Sequence, residues 1–249
     1  PLIGTTFLFM FPMFIVIAAY EAACLRWMIR GEAPWLFGIT FDSDTWRVYG
    51  VYWCWWILQM AVGFAMSMVM IPIMFMTMGD IMRGGQPDPE AMMRWQWTVQ
   101  IPLSLLQYIP LAFLGIRFGP AAATSIIRKR FSFFEAWRVT RGRFLALLGS
   151  YVVLWAIAAI ALIVLFGAMF GAVFGSFFVE FLKGGMIGNV AENEEMFRRV
   201  FSPQMIGVLI GGYAVNLLLM LIYAVMSYGV NARATMAALE EGTIEVDPA

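Results

Sequence analysis

Histidine is absent from this 249-residue chain. That removes the commonest general base, the commonest transition-metal ligand and the usual side chain for sensing pH near neutrality. Charge is scarce too: Asp, Glu, Lys and Arg make up 13% of residues, against about a quarter in soluble domains. Hydrophobic residues reach 62%, so the few charges cannot coat a soluble core and lipid is the natural solvent. The two cysteines, Cys24 and Cys54, are too few for a disulfide framework. They sit in or beside apolar runs, where a free thiol packs as a small hydrophobe. Without histidine there is no Ser/His or Cys/His dyad. No two carboxylates face each other within an apolar run, and no phosphate-binding loop occurs. The expectation is therefore a chain that is not an enzyme, with no catalytic residue, no metal site and no cofactor.

What is present is a series of charge-free runs: 1–20, 48–79, 95–116, 144–179 and 200–232. A membrane span needs roughly 20 apolar residues at about 1.5 Å rise each. The pattern predicts an all-α, polytopic transmembrane helical bundle, a single domain over 1–249 with about five spans near 2–24, 49–78, 96–116, 144–172 and 204–229. The fourth run is overlong, and a tilted helix or a span with an interfacial extension is expected over two short spans. The opening run lacks a basic n-region and a small-residue cleavage pattern, so it is expected to be a span and not a secretory signal. The segment 25–47 is expected to be an interfacial loop anchored by Trp27, Trp35 and Trp46. The stretch Gly84–Pro89 signals a turn followed by a short helix. The tail from Arg233 is expected to fray.

Seven of the 16 basic residues fall within 117–143: Arg117, Arg128, Lys129, Arg130, Arg138, Arg141 and Arg143. The excess predicts a cytoplasmic position for this segment. With five spans, the loop 25–47 and the C-terminus are then expected to share that side, and the N-terminus, the loop 80–94 and the loop 183–199 to lie outside. An N-out start with Pro1 in place of Met fits a missing upstream segment.

Ser132 and Glu135 have capping-box spacing, which predicts a short interfacial helix over 132–141 that Gly142 terminates. Its apolar face holds Phe133, Phe134, Trp137 and Val139. Arg128, Lys129, Arg130, Trp137, Arg138, Arg141 and Arg143 are the candidate contacts to lipid or to a protein partner, set against ordinary topological retention. The patch is too small for nucleic acid. The stretch RFSFFEAWRVTRGRFLALLGSY resembles a segment of uncharacterised polytopic bacterial inner-membrane proteins. Among them are relatives of the membrane domain of glycerophosphoryl diester phosphodiesterases. Ser132, Glu135, Ala136, Trp137, Thr140 and Gly142 match its Ser-x-x-Glu-Ala-Trp-x-x-Thr-x-Gly pattern, and Glu21–Gly31 is similar to alphaproteobacterial members. The resemblance covers about a quarter of the chain. It implies a helical fold in the bacterial inner membrane and no reaction, because the phosphodiesterase activity belongs to a separate soluble domain.

Few ionisable groups lie within the runs. Glu21 is the nearest case, and a local pair with Arg26 is expected, with a contact to another subunit as the alternative. Gln59, Gln100, Gln107 and Asn216 are expected to bond across helices. Met66, Met70, Met74 and Met78 form a stripe that suits either Cu(I) or flexible packing, and Pro72 is expected to interrupt that helix. Gly167, Gly171 and Gly175 follow small-xxx-small spacing, which suits close helix approach within the chain or to a neighbour. Together these features predict a non-catalytic accessory or scaffold subunit. Its expected partners are membrane lipids and other membrane-protein subunits or further copies of itself. A transporter or lipid-handling protein with an interhelical cavity is the alternative.

Overall fold

The computed structural model describes residues 2–32, 38–82, 89–182 and 202–246. Within these, side chains are described except at 2–7, 77–82, 89, 91, 173–174, 176–182 and 204. Trp35, the turn 84–88 and the loop 183–199 lie outside the described residues. The described residues are helical with no strand among them, an all-α architecture. In chain order the helices are α1 (Leu2–Arg30), α2 (Ser43–Met82), α3 (Pro89–Trp95), α4 (Ile101–Leu106), α5 (Tyr108–Phe118), α6 (Ala121–Ile127), α7 (Ala136–Val139), α8 (Phe144–Leu182) and α9 (Pro203–Glu240). Five helical stretches are long and apolar enough to cross a membrane: Leu8–Arg30, Ser43–Met76, Met92–Ile127, Phe144–Ala172 and Met205–Glu240. The chain has the make-up of a multi-pass membrane protein.

Prolines shape the third stretch. A proline lacks an amide hydrogen and crowds the carbonyl four residues back. For Pro102 that carbonyl is Thr98, and residues Gln96–Gln100 widen into a π-helical turn just before α4. For Pro110 it is Leu106, where α4 stops and Gln107 forms a turn before α5. Pro12 and Pro72 lie inside continuous helices; the expected interruption of α2 at Pro72 does not occur. The fourth run is one helix of 39 residues, α8, roughly 58 Å long against a hydrocarbon core of about 30 Å.

Two boundaries differ from expectation. α1 continues to Arg30 and α2 begins at Ser43, so both ends of the expected loop 25–47 are helix. Asp42 explains the early start of α2. Its Oδ1 accepts from the backbone N–H groups of Asp44 and Thr45, both at 3.1 Å, which is the N-cap arrangement. At the other end, α9 does not fray at Arg233. It runs to Glu240 and closes in a Schellman motif: Gly242 N–H donates to Leu239 O at 3.0 Å and Thr243 N–H to Ala238 O at 2.9 Å. Gly242 takes φ +70°, open to glycine, and Ile244 is buried beyond it.

The chain divides into two compact units, Pro1–Leu148 with Tyr228–Ala249, and Gly149–Ser227. In the first unit α1 packs along α2, and α6 packs against both. Its core is built from small residues, Ala18, Ala22, Ala122, Ala123 and Ala232, around Leu25, Val48 and Ile126. Small side chains let helix backbones approach closely. Thr124, Ser125 and Thr235 are buried there, and each hydroxyl donates to the carbonyl four residues back. Each therefore fills space without stranding a polar group. In the second unit, comprising Gly149–Leu182 of α8 and Pro203–Ser227 of α9, Gly212 lies where a Cβ would overlap the Met169 side chain.

Candidate functional site: an ionic junction and the cavity at Glu21

The first unit gathers its charges into one junction. Arg26 is 2% exposed, pairs with Asp42 and donates to Gly38 O at 2.8 Å. Arg30 pairs with Asp44 at 2.8 Å and reaches the backbone carbonyl of Ile126 at the end of α6. Arg47 also pairs with Asp44, which is buried. Thr40 Oγ1 donates to Asp42 Oδ2 at 2.9 Å. Burial pushes the Asp42 carboxyl upward, but the Thr45 and Thr40 hydrogen bonds, the Arg26 charge and the Asp44 amide outweigh it and hold Asp42 below the usual carboxylate range.

The basic segment folds onto the same unit. Glu135 does not close a capping box. Its carboxylate pairs with Arg128 and with Arg130, the latter at 2.7 Å. Ser132 Oγ is buried with no partner among the described residues, while its backbone N–H donates to Ser125 Oγ at 3.1 Å. The expected helix 132–141 is consequently shorter: residues 133–135 form a turn and only Ala136–Val139 is α-helical. The two nearby guanidinium groups outcompete a backbone amide for the Glu135 carboxylate, because charge-assisted hydrogen bonds are roughly twice as strong as neutral ones. Gly142 takes φ +80° but lies three residues past Val139, so it does not terminate this helix as expected; the C-cap is Thr140.

Arg117 lies over three rings, with Cζ 4.9 Å from the Trp137 centroid, 5.0 Å from Phe144 and 5.5 Å from Phe113. Arg143 donates to Ala234 O and Ala237 O, at 3.3 and 3.1 Å, and pairs with Glu241. It thereby neutralises the negative end of α9. Among the candidate contact residues, Arg128, Arg130 and Arg143 are engaged within the chain. Lys129, Arg138 and Arg141 are exposed, and Trp137 is 40% exposed beneath Arg117. The residues near 25–47, the segment 117–143 and the end of α9 thus meet at one end of the first unit.

Glu21 is not paired with Arg26, whose guanidinium is occupied as described. Instead Tyr52 Oη donates to Glu21 Oε2 at 2.6 Å. Glu21 is 7% exposed and borders a cavity of about 280 Å³. Val51, Tyr52 and Trp55 of α2 form one wall, and Phe118, Phe133 and Tyr228 contribute further rings. Gly115, Gly119 and Ala122 supply the room. A Cβ on Gly115 would sit 3.7 Å from Trp55, in ordinary contact. Phe118 and Phe133 stack with centroids 4.7 Å apart and planes within 7°. The acid was visible in the sequence, but the rings come from α2, α5, α9 and the turn before α7, and no spacing rule unites them.

The other candidates lie apart from this site. A Cβ at Gly167, Gly171 or Gly175 would meet nothing within 4 Å among the described residues. Met66 and Met70 are half-buried, Met68, Met74 and Met76 are exposed, and the Met78 side chain is outside the described residues. Among the described residues none of the expected cross-helix amide bonds is present: Gln59 and Gln100 are exposed, Gln107 is half-buried, and Asn216 Oδ1 is buried with no partner there. Cys24 and Cys54 are free and half-buried. Among the described residues no three His, Cys, Asp or Glu side chains cluster to hold a metal ion. No family model, no curated protein and no solved structure matches the chain.

Proposed function

We propose that this chain is a non-catalytic membrane protein that holds part of an amphiphile in the cavity at Glu21. The observation that carries this reading is a buried acid opening onto an aromatic-lined space within the membrane-spanning first unit. Intramembrane ionisable groups are functional candidates by default, because placing them there is costly. The sequence favoured a scaffold because ionisable groups in the spans looked all but absent; Glu21 supplies one. The ionic junction lies about 8 Å from Glu21 along α1, five residues at the helical rise. It matches headgroup depth, with its basic residues facing the cytoplasm of a bacterial inner membrane.

The test is native mass spectrometry of the full chain purified in mild detergent. A bound lipid or other amphiphile at about one copy is expected, and Gly115→Leu, which fills the cavity, is expected to lose it. Protein that flies bare, or cargo indifferent to Gly115→Leu, would overturn the reading. A second reading, an accessory subunit, draws on the uncovered Gly167, Gly171 and Gly175, where a neighbouring helix has room to approach. Stoichiometric co-purification of another membrane protein that Gly171→Leu abolishes would favour it; unchanged assembly would remove that face from consideration.

A further inference from the structure

We infer that the cavity at Glu21 receives an alkylammonium group, carried on a lipid headgroup or on a free small amine. This rests on the cavity being a binding site, as proposed above, and adds what it binds. The charge balance points to a cation. Glu21 is buried, and the residues lining the cavity include no Lys or Arg. The nearest basic residue along α1, Arg26, is committed to Asp42 and Gly38 O. Tyr52 satisfies Oε2, and Oε1 accepts no hydrogen bond among the described residues. A buried carboxylate with one hydrogen bond and no counter-charge is costly, and an incoming cation removes that cost.

The walls select an organic cation over a metal ion. Tyr52, Trp55, Phe118, Phe133 and Tyr228 line it with aromatic rings, and aromatic quadrupoles attract ammonium groups, most strongly when water is excluded. A hard metal ion instead demands about six oxygen ligands, and here a single carboxylate is offered. Size points the same way. At about 280 Å³ the cavity falls just below the roughly 300–1,000 Å³ of sites that hold whole drug-sized ligands. It suits a headgroup and not an acyl chain.

Choline and its uncharged isostere 3,3-dimethylbutan-1-ol differ in the cation alone. Calorimetric titration of the full chain in detergent is expected to show choline binding at least about tenfold more tightly than the isostere. Glu21→Gln, nearly isosteric and checked for an unchanged melting temperature, is expected to abolish that preference. Trp55→Leu is expected to weaken choline independently of Glu21. Nanodiscs with equal phosphatidylcholine, phosphatidylethanolamine and phosphatidylglycerol separate the two sources. Retention of the first two over the third, read by native mass spectrometry, identifies the headgroup. Choline binding without such retention identifies a free amine. Equal binding of choline and isostere, or indifference to Glu21→Gln, would overturn the ammonium assignment and leave a generic amphiphile site. No binding of any probe would overturn both.

Discussion

At the charged end of the first unit, the side chains withdrawn from the surface include many alanines, with threonines, serines and arginines beside Leu25, Val48 and Ile126. Along the second unit, the side chains on the outside are Ile160, Ile163, Val164, Phe166, Phe170, Ile210 and Leu218. This inverts the plan of a soluble domain and has one physical cause. In lipid, burying a leucine gains little, since the tails are as apolar as the core, so association relies on close packing and polar contacts. The first unit has both: an alanine-rich core, and ion pairs between α1 and the start of α2 joined by an Arg30 hydrogen bond to the end of α6. The second unit has long apolar helices, a Gly212–Met169 contact and a buried Asn216 without a described partner. High hydrophobicity marks what meets lipid; the scattered polar residues mark what holds the helices.

The sharpest way to break this contrast is Asp44→Ala. It leaves Arg30 and Arg47, each about one-fifth exposed, without their shared carboxylate. Losing one partner of a buried pair costs about 3 kcal/mol. Denaturant unfolding in mixed micelles is expected to show a loss of that order; a loss under 1 kcal/mol would mean the junction does not hold the unit together. In the second unit, Gly212→Leu drives a side chain into Met169 and is expected to cost about 1–2 kcal/mol by overpacking. Gly171→Leu meets open space and is expected to stay within about 0.5 kcal/mol. Equal effects at the two glycines would erase the distinction between a covered and an uncovered position.

The spans were legible because their signal is local: charge-free runs of sufficient length need no knowledge of neighbours. So was the grouping of 25–47, 117–143 and the C-terminal end on one side, because counting spans fixes which ends coincide. The cap at Asp42 is masked in the sequence by Trp27, Trp35 and Trp46, whose spacing across 25–47 points to an interfacial loop. The capping box at Ser132 failed for a non-local reason. Glu135 has a better offer from Arg128 and Arg130, and local spacing does not reveal competing partners. Glu21 was correctly singled out but given the wrong partner: Arg26 is closer in sequence, whereas Tyr52 is closer in space. The cavity was invisible, because its rings come from helices far apart in the chain.

Ser132→Ala discriminates between the local pattern and the observed packing. A working capping box would make the alanine costly, by about 1 kcal/mol. In the structure the hydroxyl is buried with no partner among the described residues, so its removal is expected to be neutral or stabilising by up to about 1 kcal/mol. Unfolding of Ser132→Ala alongside the parent chain gives the sign, and a destabilisation of about 1 kcal/mol or more would restore the capping box.

The smallest expected effect concerns Asp42, which joins the junction from its more exposed rim. Its side chain is 44% exposed, so solvent screens the pair with Arg26 and limits what it contributes. Its carboxyl is held below the usual range in the folded chain. A group of that kind stabilises fully above its unfolded value of about 3.9, and the contribution is lost as pH falls from there through the lower folded value. Asp42→Asn keeps a side-chain oxygen able to cap α2 and removes only the charge. The melting temperatures of parent and variant are therefore expected to differ slightly at neutral pH and to converge below about pH 4. A gap that stays constant into acid would mean that the charge on Asp42 contributes nothing. The cap alone would then fix the start of α2, and the ionic character of the junction would rest on Asp44.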